Sequence, residues 1–224
     1  MKTVVRLTAS SILGLVAFGF ILFLPARTLN YWQASVFMAV FTVATIVPTI
    51  YLYRTNPAAL QRRMHAGPRA ETRPAQKIII TASFVDVFAM MAFSALDHRM
   101  GWSTVPAGVS LLGNVLVAAG LAIAMVVIAQ NGYAASTVRV ETGQQVVSGG
   151  VYKFIRHPMY VGSLIMMVGI PLALGSYWGL LFVILGVAVI VFRILDEEKL
   201  LTEELAGYRE YAQRVRYRLM PNVW

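Results

Sequence analysis

The chain has 224 residues, 58% of them hydrophobic and only 13% charged, with a formal net charge of +9 and no cysteine. That composition excludes an ordinary soluble domain, and the missing cysteine excludes disulfides, thiolate catalysis and cysteine metal ligands. The three widely spread histidines, His65, His98 and His157, argue against a zinc or iron site. The positive charge falls in short segments between apolar runs, as insertion into a lipid bilayer requires, so the expected partner is membrane and not nucleic acid.

A helix that crosses a bilayer needs about 20 mostly apolar residues. Six runs offer this, at residues 7–24, 32–53, 78–97, 105–130, 158–174 and 177–195, and predict an all-α polytopic membrane protein of about six transmembrane helices. The first run follows Lys2 and Arg6. It is long for the apolar part of a signal peptide, and Leu24-Pro25-Ala26-Arg27 has no small-residue cleavage site, so it reads as a retained helix. Pro48 in the second run predicts a kink that neighbouring helices tolerate.

Residues 54–77, with Pro57, Gly67, Pro68 and Pro74, read as a linker. It divides a two-helix N-terminal part, 1–77, from a four-helix core, 78–224, which contains a polar loop at 130–158 and a tail at 196–224. Asp86 lies in the third run, about 12 Å from that helix's end at the rise of an α-helix. An acid at such depth is a site candidate; the plain alternative is a pairing with Asn114 on the next helix.

Gly175-Ser176 joins the fifth and sixth runs in a tight helical hairpin. Gly162 and Gly169 are seven apart, as are Gly179 and Gly186, a spacing that keeps small residues on one helix face where backbones can approach. Seventeen of the 19 Lys and Arg fall on one side of this topology, against Arg27 and Arg99 on the other. The positive-inside rule then places both termini, the 131–157 loop and the tail in the cytoplasm.

The most informative passage is residues 149–162, Gly-Gly-Val-Tyr-Lys-Phe-Ile-Arg-His-Pro-Met-Tyr-Val-Gly, wedged between apolar runs. Pro158 suits the first turn of a helix, where its missing N–H is no loss, and puts His157 at the cap. Free N–H groups there, with Arg156 and His157, form a corner suited to an anion, and Tyr160 shares the face of His157. A juxtamembrane cationic and aromatic anchor is the simpler alternative. Gly149 and Gly150 allow a tight turn or a close approach of backbone to a ligand.

After the sixth run, Glu197 and Glu198 open a segment in which Glu197, Leu201, Glu204, Tyr208 and Tyr211 follow helical spacing and form one face. Adjacent side chains point about 100° apart, so the two glutamates cannot both face one pocket. Glu203, Glu204 and Glu210 fit a solvated face. No GxGxxG occurs and no strand–helix alternation, so a Rossmann pocket is excluded.

Taken in order, the Asn131-Gly-Tyr opening of the loop, the Gly-Gly-Val-Tyr approach, Arg156-His157-Pro158, the Glu197-Glu198 pair, two tyrosines three apart and Arg218-Leu-Met-Pro221 resemble the integral-membrane methyltransferases of the isoprenylcysteine carboxyl methyltransferase and phospholipid methyltransferase superfamily. The resemblance covers about residues 130–222. It implies S-adenosylmethionine held between the hairpin, the loop before it and the tail, with Gly149, Gly150, Tyr152, His157, Pro158, Tyr160, Glu197, Glu198, Tyr208, Tyr211 and Arg218 as the binding set. Arg156, His157, Tyr160, Glu197 and Glu198 are then the catalytic candidates, and the methyl acceptor a lipophilic or membrane-delivered small molecule. Rivals are a membrane reductase of the sterol reductase kind and a non-catalytic membrane protein.

Overall fold

The computed structural model describes residues 2–64, 67–134 and 137–224, with side chains from Ser11 onward; His65 and the Lys2 and Arg6 side chains lie outside the described residues. Among these residues the chain is all helix and turn, in the order α1 Lys2–Ala26, α2 Trp32–Thr55, α3 Pro57–Met64, α4 Pro74–Met100, α5 Ala107–Gln130, α6 Pro158–Ala173, α7 Leu181–Glu204 and α8 Tyr208–Arg214. Short 3-10 turns at Gly150–Lys153 and Trp178–Leu180 precede α6 and α7. Four helical stretches, Trp32–Thr55, Pro74–Met100, Ala107–Gln130 and Trp178–Glu204, are long and apolar enough to cross a membrane. Pro158–Ala173 is a shorter apolar helix and α1 contributes the apolar stretch Ser11–Ala26, so among the described residues four of about six expected crossings meet the length criterion.

The six apolar runs all fall on helices, and α4 and α6 begin or end at identifiable devices. Pro74 and Pro158 stand in the first turns of α4 and α6, and α4 ends where Gly101 adopts the left-handed conformation at φ 66° and returns its N–H to the Asp97 carbonyl. At this far end of the bundle Asp97 collects three donors, the Ser103 N–H, the Ser103 hydroxyl and the Ser176 hydroxyl, which staples the α4–α5 and α6–α7 turns together. Leu22, Tyr31, Phe37, Met90, Val117 and Ile194 fill the centre. Ile184, Leu185 and Phe192 point outward, as a lipid-facing surface requires.

The tightest packing joins α5 to α6 and not α6 to α7. A Cβ on Gly113 would meet the Ala173 backbone nitrogen at 2.2 Å, one on Gly120 the Gly162 carbonyl at 2.4 Å, and one on Gly169 the Gly113 carbonyl at 2.7 Å. Glycine is what allows backbone to touch backbone here, and such close packing drives helix association where lipid offers no hydrophobic gain. The spacing of Gly162 and Gly169 implied a close backbone approach, and the helix they meet is α5. Gly186 of α7 instead leaves room for Met167, and its surroundings include Asp86.

Two further expectations change. The 54–77 segment contains helix α3, whose Ala59 and Leu60 are buried. The tail is two helices and not one face: Gly207, at φ 82°, breaks the chain between α7 and α8, and Leu205 turns inward while Glu204 is exposed.

Candidate active site

At the end of the bundle opposite Asp97, the tail folds back across the Arg-His-Pro passage. The Arg156 and His157 N–H groups donate to the Tyr217 and Arg218 carbonyls at 2.9 Å each. The Arg156 guanidinium donates to the Ala212 and Val215 carbonyls at 3.1 and 3.3 Å, and the Tyr211 hydroxyl to the Tyr152 carbonyl at 2.9 Å. Loop, helix start and tail are thereby one unit.

Glu198 is its hub. Its Oε1 lies 2.8 Å from Arg156 Nε and 3.1 Å from His157 Nε2, while its Oε2 accepts from Arg218 Nε at 2.8 Å. The cationic corner expected to hold an anion does hold one, but the carboxylate belongs to the protein. Three positive or partly positive groups on one buried carboxylate form a network whose members depend on one another.

Glu197 takes the other direction. It lines a cavity of about 870 Å³, measured with its open mouth. The Tyr160 hydroxyl donates to Glu197 Oε2 at 2.5 Å and accepts from Arg193 Nε at 3.0 Å. Arg193 also reaches Glu71 at 3.3 Å, and the second Glu71 oxygen accepts the Val138 N–H at 3.2 Å. A continuous chain thus runs from the 67–73 segment through α7 and α6 to the cavity wall.

Of the residues named from sequence, Tyr152, Arg156, His157, Pro158, Tyr160, Glu197, Tyr208 and Tyr211 line this cavity. Gly149, Gly150, Glu198 and Arg218 do not. Gly150, at φ 56°, makes its close approach to a side chain: a Cβ there would lie 2.2 Å from Gln130 Oε1, the atom that accepts the Val151 N–H. The Arg218 guanidinium lies over the Trp224 ring at 5.0 Å.

Three contributors escaped the sequence reading. Arg193 lies within an apolar helix and is buried. Glu71 was hidden in the linker; Arg62 of α3 braces the loop by pairing with Glu141 at 2.9 Å and stacking over Tyr133 at 4.7 Å. A charge inside an apolar run was the available signal for Arg193.

The aromatic wall is neutral at physiological pH. Burial pushes Tyr152 up to about 12, and burial followed by the negative charge of Glu198 raises Tyr208; Tyr211 is raised by burial and by Tyr152. The Tyr208 hydroxyl and Thr137 Oγ1 are buried against the cavity without a hydrogen-bond partner among the described residues. Unsatisfied polar groups at a cavity wall are costly unless a ligand or water completes them, and they fit a ligand rich in hydroxyl and amino groups.

Buried ionic chemistry is concentrated at one end of an apolar helical bundle. Residues 109–208 match the family model described as phospholipid methyltransferase, which supports a membrane methyltransferase and bears out the superfamily resemblance over that stretch. The chain is 33% identical over 91 residues to the Delta(14)-sterol reductase TM7SF2 of Mus musculus, across 39% of this chain; the match spans 22% of that reductase. A solved structure of the eukaryotic intramembrane Ras methyltransferase ICMT (isoprenylcysteine carboxyl methyltransferase) aligns over 99% of this chain and 86% of its own, at 17% identity and a TM-score of 0.44.

Proposed function

We propose that the protein is an S-adenosylmethionine-dependent methyltransferase that acts on a lipophilic acceptor at the cytoplasmic face of the membrane. The observation that carries this reading is the cavity wall itself: one carboxylate, Glu197, among the neutral aromatic rings of Tyr152, Tyr208 and Tyr211. Aromatic faces and a carboxylate suit a sulfonium cation, and the unpartnered Tyr208 and Thr137 hydroxyls suit the polar groups of a nucleoside or amino acid. S-adenosylmethionine would supply a methyl group carried on positively charged sulfur. Positioning in a dry cavity is then the main contribution of the protein.

A carboxylate acceptor is ionised at neutral pH and needs no base. An amine or thiol must lose a proton, and Glu197 is the carboxylate on the cavity wall, held in place by the Tyr160 hydroxyl. Arg156 and His157 stand on the cavity wall, and Glu198 and Arg218 behind them fix the loop and the tail that close it. The reading is of an enzyme similar to protein-S-isoprenylcysteine carboxyl O-methyltransferase, with phospholipid N-methylation and small-thiol S-methylation as the alternative acceptors.

The stretch of identity with a sterol reductase favours a second reading, a membrane reductase with a nicotinamide cofactor at the same cavity. Calorimetry of the purified protein with S-adenosylmethionine and with NADPH separates the two. Radiolabelled S-adenosylmethionine offered with a prenylcysteine analogue, phosphatidylethanolamine or methanethiol then identifies the acceptor; tight NADPH binding without S-adenosylmethionine binding overturns the methyltransferase.

A further inference from the structure

A second cavity of about 840 Å³, measured with its open side, lies among α1, α2, α3 and α5. Its walls are mostly apolar, including Ala44, Leu52, Leu60, Ala124 and Ile128. The Thr45 and Thr49 hydroxyls on this wall are already donated to carbonyls of their own helix, at 2.8 and 2.7 Å. Among the described residues one cation, Arg63, stands at its α3 end. Most of the lining precedes residue 109, so it falls outside the stretch that matches the family model.

Consecutive arginines of α3 take different surroundings, because adjacent helical side chains diverge by about 100°. Arg62 turns to the loop and pairs with Glu141. Arg63 has no ion-pair partner among the described residues; its nearest recorded polar contact is Met159 Sδ, 3.9 Å from a guanidinium nitrogen. Burial lowers the Arg63 pKa, as it does for a cation lacking a counter-charge. Met159 lines the first cavity and packs against the Leu52, Leu60 and Ile128 cluster of the second, so one flexible side chain stands between them.

We propose that this second cavity seats a single-chain amphiphile drawn from the bilayer, its apolar chain between α2 and α5 and its anionic head at Arg63. It rests on the proposed methyl-donor role of the first cavity only in making that amphiphile the acceptor, which would reach the donor past Met159. Charge complementarity selects an anion, and the apolar walls select a chain over a soluble metabolite.

The test is equilibrium binding of tritiated oleate and of neutral oleyl alcohol to the full chain in nanodiscs. Arg63→Gln should weaken oleate binding about tenfold, the size expected for loss of one charge-assisted hydrogen bond, and leave oleyl alcohol unchanged; Arg63→Lys should restore much of the loss. Ala124→Phe, which fills the cavity away from Arg63, should weaken both ligands. Photocrosslinking of a diazirine oleate to the unaltered chain should label α2 and α5, whatever the variants do to folding. Undiminished oleate binding by Arg63→Gln, equal affinity for the acid and the alcohol, or crosslinks confined to other helices overturns the assignment. Calorimetry with S-adenosylmethionine reports on the first cavity alone: no binding there beside Arg63-dependent oleate binding overturns the methyl-donor reading and leaves a lipid site.

Discussion

Tyr160 of α6 and Glu197 of α7 meet at the membrane end of the first cavity, the phenol donating to the carboxylate at 2.5 Å while Arg193 donates to the phenol oxygen at 3.0 Å. This bridge fixes where Glu197 points. Tyr160→Phe keeps the ring and removes both bonds. Turnover with S-adenosylmethionine should fall about 10- to 100-fold, and the unfolding midpoint should fall as well, since a hydrogen bond to a charged group is worth about 1.5–3 kcal/mol to the fold. Unchanged turnover would remove the bridge from the mechanism.

The two neighbouring glutamates should separate by readout. Glu198→Gln strips the counter-charge from the buried Arg156 and His157 and from Arg218, and breaking a buried ionic network costs about 3–5 kcal/mol. Thermal unfolding in detergent should therefore drop sharply for Glu198→Gln, whereas Glu197→Gln should leave the midpoint near that of the parent and weaken S-adenosylmethionine binding. A reversed pattern would exchange their roles.

Packing of α5 on α6 is open to the same kind of contrast. Gly120→Ala would place a methyl group 2.4 Å from the Gly162 carbonyl, and forcing such contacts costs about 1–3 kcal/mol or more. Gly108→Ala, with nothing within 4 Å, is the control and should be silent. The yield of monodisperse protein and the unfolding midpoint measure both.

High pH should act on the aromatic wall. In the unfolded chain tyrosine ionises near pH 10, and in the folded chain Tyr152 is raised to about 12 with Tyr208 and Tyr211 raised in the same direction. The folded state therefore holds these protons more tightly. The associated stability is complete below about pH 10 and is lost as pH rises toward 12. Absorbance titration at pH 11 should show a set of tyrosines still neutral in the folded protein that ionise at once on denaturation, and Tyr152→Phe should shrink that set by one.

The candidate site was legible where polar residues interrupt an apolar background. Arg156, His157 and Pro158 stand out because hydrocarbon tolerates few charges, and Pro158 fixes the helix start by its own ring. Glu197 and Glu198 stand out for the same reason, but their division of labour did not, because it depends on which way α7 rotates against α6. Glu71 gave no signal, since an acid in a loop is unremarkable until Arg193 is found opposite it. The plain alternative for Asp86, a pairing with Asn114, does not form: Asn114 donates to the Ser110 carbonyl at 2.9 Å, and neither Asp86 oxygen has a hydrogen-bond partner among the described residues.

Composition and local pattern were sufficient for the helices, their approximate ends and the polar passage at one end of them, because each of these follows from short-range chemistry: apolar length, proline at a first turn, glycine at an end. Which helices touch is a different matter. Gly162 and Gly169 announce a close contact but not with whom, and α5 is the partner because Gly113 and Gly120 present a matching groove. The cavity is likewise an outcome of the tail folding back over the loop, through backbone bonds from residues 156 and 157 to residues 217 and 218 that no sequence period encodes. Side-chain spacing reports on one helix at a time, whereas the site is made by surfaces of several, brought together by packing that only the whole fold satisfies.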